Sequence, residues 1–181
     1  RASNRQLKPL PGEVSHMQVG IVSDTHDNLD VVQAAVDRFA GSVDAVVHCG
    51  DFVAPFSALP FDDDFDFYAV RGNNDGEWAL QGLIEEFGVY LGEFGELAFQ
   101  GTNVAVYHGT NRVLREALAE ADTDDYVFHG HTHERTITPH GDTVRVNPGG
   151  LPIEGADDTF YVAILDTERS GTDAITHHQL D

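Results

Sequence analysis

The sequence predicts an α/β fold, on three observations. Short apolar runs alternate with stretches whose apolar residues recur at helical spacing. The later runs crowd together, as antiparallel strands do, and the polar residues able to do chemistry lie where apolar runs end. In chain order, Val19-Gly20-Ile21-Val22 reads as a buried strand stopping at Ser23-Asp24. Residues 29–40 form a helix, with Val32, Ala35, Val36 and Phe39 on one face and Gly41 as its stop. Strands are expected at 43–48 and 65–70, a helix at 78–87, a strand at 104–107 and a helix at 112–121. Strands at 126–128, 135–138, 144–146 and 160–165 follow, the last group supplying antiparallel pairs.

The chain has 181 residues, enough for one domain with a sizeable core. The domain is expected over residues 17–181, with residues 1–16 a flexible leader or non-native remnant, because no periodicity precedes Met17. No apolar run reaches the roughly 20 residues that span a bilayer, and no signal-peptide pattern is visible. A lone cysteine, Cys49, excludes an internal disulfide framework and a cysteine zinc cluster. These features predict a soluble, cytoplasmic protein. Ten basic residues against 31 acidic ones leave a net charge of −21, and Lys8 is the single lysine. Such a surface repels nucleic-acid phosphates and anionic membranes, so neither is an expected partner. The acids are dispersed through loops, as in the Asp62-Asp63-Asp64 run, which reads as adaptation to high salt.

Five predicted strands end in residues that can bind metal. These are Asp24-Thr25-His26, His48-Cys49-Gly50-Asp51, Arg71-Gly72-Asn73-Asn74-Asp75, His108-Gly109 and His129-Gly130-His131-Thr132-His133. Ligands of open α/β sheets bind at the carboxyl ends of strands, so the five loops can meet at one site. Aspartate, asparagine and histidine without cysteine make a mixed N/O donor set, suited to Mn, Fe, Co, Ni or Zn rather than Ca or Mg.

In this order, Asp-x-His, Gly-Asp, Gly-Asn-x-Asp, His-Gly and Gly-His-x-His resemble the calcineurin-like metallophosphoesterases. Arg71-Gly72-Asn73, Asn147-Pro148-Gly149 and the short chain resemble the small prokaryotic phosphodiesterase branch, over about Met17 to Leu165. The resemblance implies an αββα sandwich of two mixed sheets flanked by helices. It implies two divalent metal ions, manganese foremost: one held by Asp24, His26, Asp51 and His133, the other by Asp51, Asn73, His108 and His131. Asp51 would bridge, and a bridging hydroxide would attack phosphorus in line. Asp51, Asn73, His108 and Asp75 are the expected catalytic residues. The substrate would be a small-molecule phosphoester, above all a phosphodiester, and a homo-oligomer is left open.

Plainer roles stand beside these. Asp24 could cap the following helix, Asp51 and Asn73 could be turn residues, and His108 a satisfied buried histidine. His48 and His129 read as hydrogen-bonding supports and Cys49 as a small buried hydrophobe. Two positions depart from the family pattern. Asn74 stands where many members carry a histidine able to protonate a leaving group, and Asp27 where a glycine often follows the first histidine. The alternatives to a phosphodiesterase are a phosphomonoesterase or nucleotidase and a non-catalytic scaffold, the role of the retromer subunit of this fold.

Overall fold

The structure, a computed structural model, describes residues 16–155 and 157–180. Of the expected leader, residues 1–16, all but His16 lie outside the described residues. The elements in order are β1 (Gln18–Val22), α1 (Leu29–Phe39), β2 (Ala45–His48), a 3-10 helix (Pro55–Phe61), β3 (Asp66–Ala69), α2 (Trp78–Ile84), β4 (Val89–Tyr90), β5 (Phe94–Phe99), β6 (Thr102–Tyr107), α3 (Arg112–Glu120), β7 (Tyr126–Phe128), β8 (Thr136–His140), β9 (Thr143–Asn147), β10 (Tyr161–Asp166), a second 3-10 helix (Gly171–Ala174) and β11 (Ile175–Gln179). They build two mixed sheets, in the orders β11-β10-β1-β2-β3-β4 and β5-β6-β7-β9-β8.

Strand alternation sorts the core into layers. Val19 and Ile21 of β1 and Val47 of β2 point between the sheets, where they meet Val106 of β6, Phe128 of β7 and Val146 of β9. The intervening Val22 and Val46 face outward, under α1, α2 and the first 3-10 helix. On the far side α3 covers the second sheet through Ala119, which packs on Ala105 and Val127. The architecture is therefore the expected αββα sandwich.

The α1 helix shows how local rules set this arrangement. Asn28 is its N-cap, its side chain accepting from the amides of Asp30 and Val31, and the buried face is Val32, Ala35, Val36 and Phe39. Each of the valines and Phe39, fully buried, contributes about 1.5–3 kcal/mol. Phe39 lies directly over Gly20, where an added Cβ would sit 2.7 Å from the ring. The cap role considered for Asp24 belongs to Asn28, which frees the aspartate for the site.

Within the sheets β1, β2 and β3 run parallel, as do β6, β7 and β9. Their carboxyl ends lie at one end of the sandwich. Sequence periodicity did not reveal β4, β5, β11 or either 3-10 helix. β5 and β11 are edge strands with polar residues interleaved, and β4 is two residues long, so none carries a clean apolar pattern. Among the described residues no helix is long and apolar enough to cross a membrane.

Candidate metal centre

The loops leaving these strands are backbone-strained. Asp24, His26, Asp51, His131 and His133 all have left-handed φ values, between 41° and 70°, as does Val53 at 82°. Conformations of this kind persist where surrounding contacts over-determine them, and they cluster at functional sites. Here the turns aim side chains of both sheets into one space. Glycines make room for it: an added Cβ would strike the Asp51 backbone and carboxylate from Gly72, and Ser23 and Asp24 from Gly130.

Two donor groups result, Asp24 with His26 and His133, and Asp24 with Asp51 and His108. Asp24 Oδ1 lies 3.4 Å from His133 Nε2, 3.8 Å from His26 Nε2 and 4.0 Å from His108 Nε2. Asp51 Oδ2 lies 3.5 Å from His26 Nε2 and 3.4 Å from His108 Nε2, so it faces the histidines of both groups. Asn73 Oδ1 is 3.1 Å from His108 Nε2, and the His131 ring packs edge-on to that of His108 at 5.3 Å. Among the described residues, then, all the expected ligands come together. Asp24, not Asp51, is shared by the two tight groups.

Two features suit this set to divalent cations. Asp24 Oδ1 is fully buried yet has no hydrogen-bond partner, a condition that normally costs about 1–3 kcal/mol or more. His108 Nδ1 and His133 Nδ1 lie 2.8 and 2.7 Å from the carbonyls of Cys49 and Leu151. A carbonyl only accepts, so both Nδ1 atoms carry the proton and each Nε2 is aimed at the carboxylates, as in metal-ligating histidine.

The electrostatics point the same way. The Asp24 carboxylate, 3.8 Å away, leads in raising the pKa of His26, against the effect of burial. Burial opposes the protonation of His108, but Asp51 and Asp24 together outweigh it and raise its pKa. Burial likewise opposes ionisation of Asp51, yet His108 and Asn74 hold its carboxyl well below the usual range. The two carboxylates thus stay ionised and draw positive charge into a buried space.

Other polar residues hold the donors. Asn74 donates to both oxygens of Asp51, through its amide N–H and through Nδ2, each at 2.8 Å. Asp75, expected among the catalytic residues, commits both oxygens to backbone: Oδ2 accepts from Asp51 and Gly72, and Oδ1 from Val53. Ser23 Oγ donates to Asp24 Oδ2, which also accepts from the His131 amide. His48 Nδ1 accepts from the Gly50 amide, leaving Nε2–H to face Thr25 Oγ1, and burial holds its pKa down to about 3. Asp27, at the second departure, accepts from the Ala54 amide. The holding roles of Ser23, Asn74 and Asp75 escaped the sequence reading, because each depends on how the folded loops turn these groups toward their partners.

The chain belongs to the calcineurin-like phosphoesterase superfamily, whose domain profile it matches over residues 17–170. More particularly, it is 33% identical to the phosphodiesterase MJ0936 of Methanocaldococcus jannaschii, over 84% of this chain and 95% of that protein. A solved structure described as a novel archaeal phosphodiesterase superposes with a TM-score of 0.81 at 30% identity, covering 91% of this chain and all of the other. Vacuolar protein sorting 29 from Cryptosporidium parvum superposes with a TM-score of 0.62 over 92% of this chain and 98% of its own, at 16% identity, and so shares the fold alone.

Proposed function

We propose that this chain is a metal-dependent phosphodiesterase with a dinuclear centre. The observation that carries this reading is the buried, unpartnered Asp24 Oδ1 at the junction of the two donor groups. Asp24, His26, Asp51 and His133 would hold one cation, and Asp51, Asn73, His108 and His131 the other. When bound, the cations supply Lewis acidity toward the phosphoryl oxygens and a lowered pKa for an attacking water. The protein's own residues set the geometry. Cys49 and Leu151 fix the imidazoles of His108 and His133, Asn74 orients Asp51, and Asp75 acts as a positioning residue for the Asp51 loop. Asn73 is a neutral donor, so with two cations bound only two carboxylates would offset their charge, and the site would keep the positive character that a phosphate anion needs.

Leaving-group protonation is the weak step. Asn74 donates a hydrogen bond but carries no titratable proton, so esters with poor leaving groups lose the roughly 10²–10⁴-fold that a positioned acid supplies. Diesters with aryl leaving groups are the favoured substrates and alkyl monoesters poor ones. We assign manganese as the preferred metal, the cytoplasm as the site of action and high salt as the working medium, the last from the net charge of −21. The test is a screen of metals against phosphoesters with chelator-stripped protein in molar KCl. Aryl-diester hydrolysis restored best by Mn²⁺ is the expected result. No hydrolysis of any phosphoester with any metal would favour the scaffold reading.

A further inference from the structure

Most arginines of the described residues have a partner. Arg71 pairs with Glu93, Arg112 with Glu116, Arg135 with Asp157 and Arg169 with Asp166, and Arg38 meets His178 and Ser42. Arg115 and Arg145 make no ion pair and no hydrogen bond among the described residues, and the Nε of each is buried without a partner. In a chain where 31 acids face ten bases, two adjacent unpaired guanidinium groups call for an explanation.

Sheet register brings them together. Val144 and Val146 point into the sandwich, so Arg145 between them faces the opposite side, beside its pairing partner Val127. Val127 packs under Ala119 of α3, and Arg115 precedes Ala119 by one helical turn on the same face. Burial and the charge of Arg145 both bear on Arg115, lowering its pKa. The Arg115 stem also lies against Gly109, in the loop that carries His108 and beside the one that carries His131. A Cβ added at Gly109 would lie 3.4 Å from Arg115 Cδ and 3.5 Å from both the Gly130 carbonyl and His129 Cβ. His129, 2% exposed, adds a third buried nitrogen there without a partner, Nε2.

We propose that Arg115 and Arg145 form an anion subsite beside the metal centre that receives a second phosphate of the diester substrate. This rests on the phosphodiesterase reading and narrows its substrate class to diesters bearing a further phosphate. Two guanidinium groups offer forked donors matched to phosphate oxygens, and a dianion between them would relieve their mutual repulsion and the unmet Nε groups. It would also offset the repulsion that so acidic a chain exerts on a polyanionic substrate.

The test compares thymidine 5′-(p-nitrophenyl phosphate) with the same compound carrying a 3′-phosphate, two diesters with one leaving group. The wild-type protein should prefer the 3′-phosphorylated compound. Loss of a charge-assisted pair should lower the ratio of kcat/KM values about tenfold in Arg115→Gln and in Arg145→Gln, mainly through KM. Arg145→Lys should keep part of the preference, and rising KCl should erode it. Neither glutamine variant should lower Tm, since each removes one of two like charges. An unchanged ratio in both variants, or a Tm drop with no change in ratio, would overturn the subsite. Calorimetric titration of the metal-loaded proteins with thymidine 3′,5′-bisphosphate and with thymidine 5′-monophosphate reads the same preference without turnover. If no diester is hydrolysed the phosphodiesterase reading fails, and that titration still decides for or against the subsite.

Discussion

The two sheets contribute unlike halves to one centre. Loops after β1, β2 and β3 bring both carboxylates and the asparagine, with His26 as their one imidazole; loops after β6 and β7 bring imidazoles alone, His108, His131 and His133. Neither half is a metal site by itself. The carboxylate half is orienting in its own right, since Asn74 and Asp75 fix Asp51 from within it. Within the imidazole half His108 is oriented from across the sandwich, by Cys49, and His133 by Leu151 beyond β9. In return the His131 amide holds Asp24. The centre is therefore a product of tertiary packing, and damage to the carboxylate half should be felt at once by both donor groups.

The largest effect is expected at Asp51. Asp51→Ala should abolish turnover, a loss of roughly a thousandfold or more given the several kcal/mol supplied by bound cations, while circular dichroism stays native. A variant that retains wild-type kcat/KM would break the comparison, because either half could then work without the carboxylate proposed to serve both cations.

Asp75→Asn should come next. It replaces an acceptor-only group facing three backbone N–H groups by one that also presents donors. A loss of about 10–100-fold in metal affinity or activity is expected for a group that orients a ligand, with destabilisation of about 1–3 kcal/mol. Metal titration and urea denaturation read the two terms separately.

Acid should expose the buried histidine beneath the carboxylate half. His48 has a folded-state pKa of about 3, below the ordinary value near 6.5, so between these limits the unfolded chain binds the proton that the folded chain refuses. Its contribution is complete above about pH 6.5 and is lost as pH falls toward 3, by at most about 1.4 kcal/mol per pH unit. Denaturation midpoints from pH 7 to 4 should show a shallower decline in His48→Gln than in wild type. Parallel profiles would remove His48 from the account.

The smallest effect is a change of preference at Asn74. Asn74→His should raise alkyl-monoester turnover relative to aryl-diester turnover, with a new pH dependence near the imidazole pKa of about 6.5. Both substrates should slow overall, because the amide that donates to Asp51 Oδ2 is gone. An unchanged ratio would leave Asn74 as a holder of Asp51 and nothing more.

Sequence made the donors legible because each follows an apolar run: Asp24 after Val22, Asp51 after Val47, His108 after Val106 and His131 after Phe128. The helix face of α1 was equally plain from its spacing. What stayed hidden depends on backbone direction or sheet register. Asp75 reads as the end of a motif until the amides of Asp51, Gly72 and Val53 turn toward it. Arg115 and Arg145 are 30 residues apart and meet only because β7 pairs with β9 beneath α3.

The dinuclear assignment is tested most directly by counting metal. Chelator-stripped protein reloaded with Mn²⁺ in molar KCl, desalted into the same salt and measured by atomic emission should hold about two ions per chain, and Asp51→Asn well under two. One ion or fewer in the wild type, or full loading in Asp51→Asn, would contradict it.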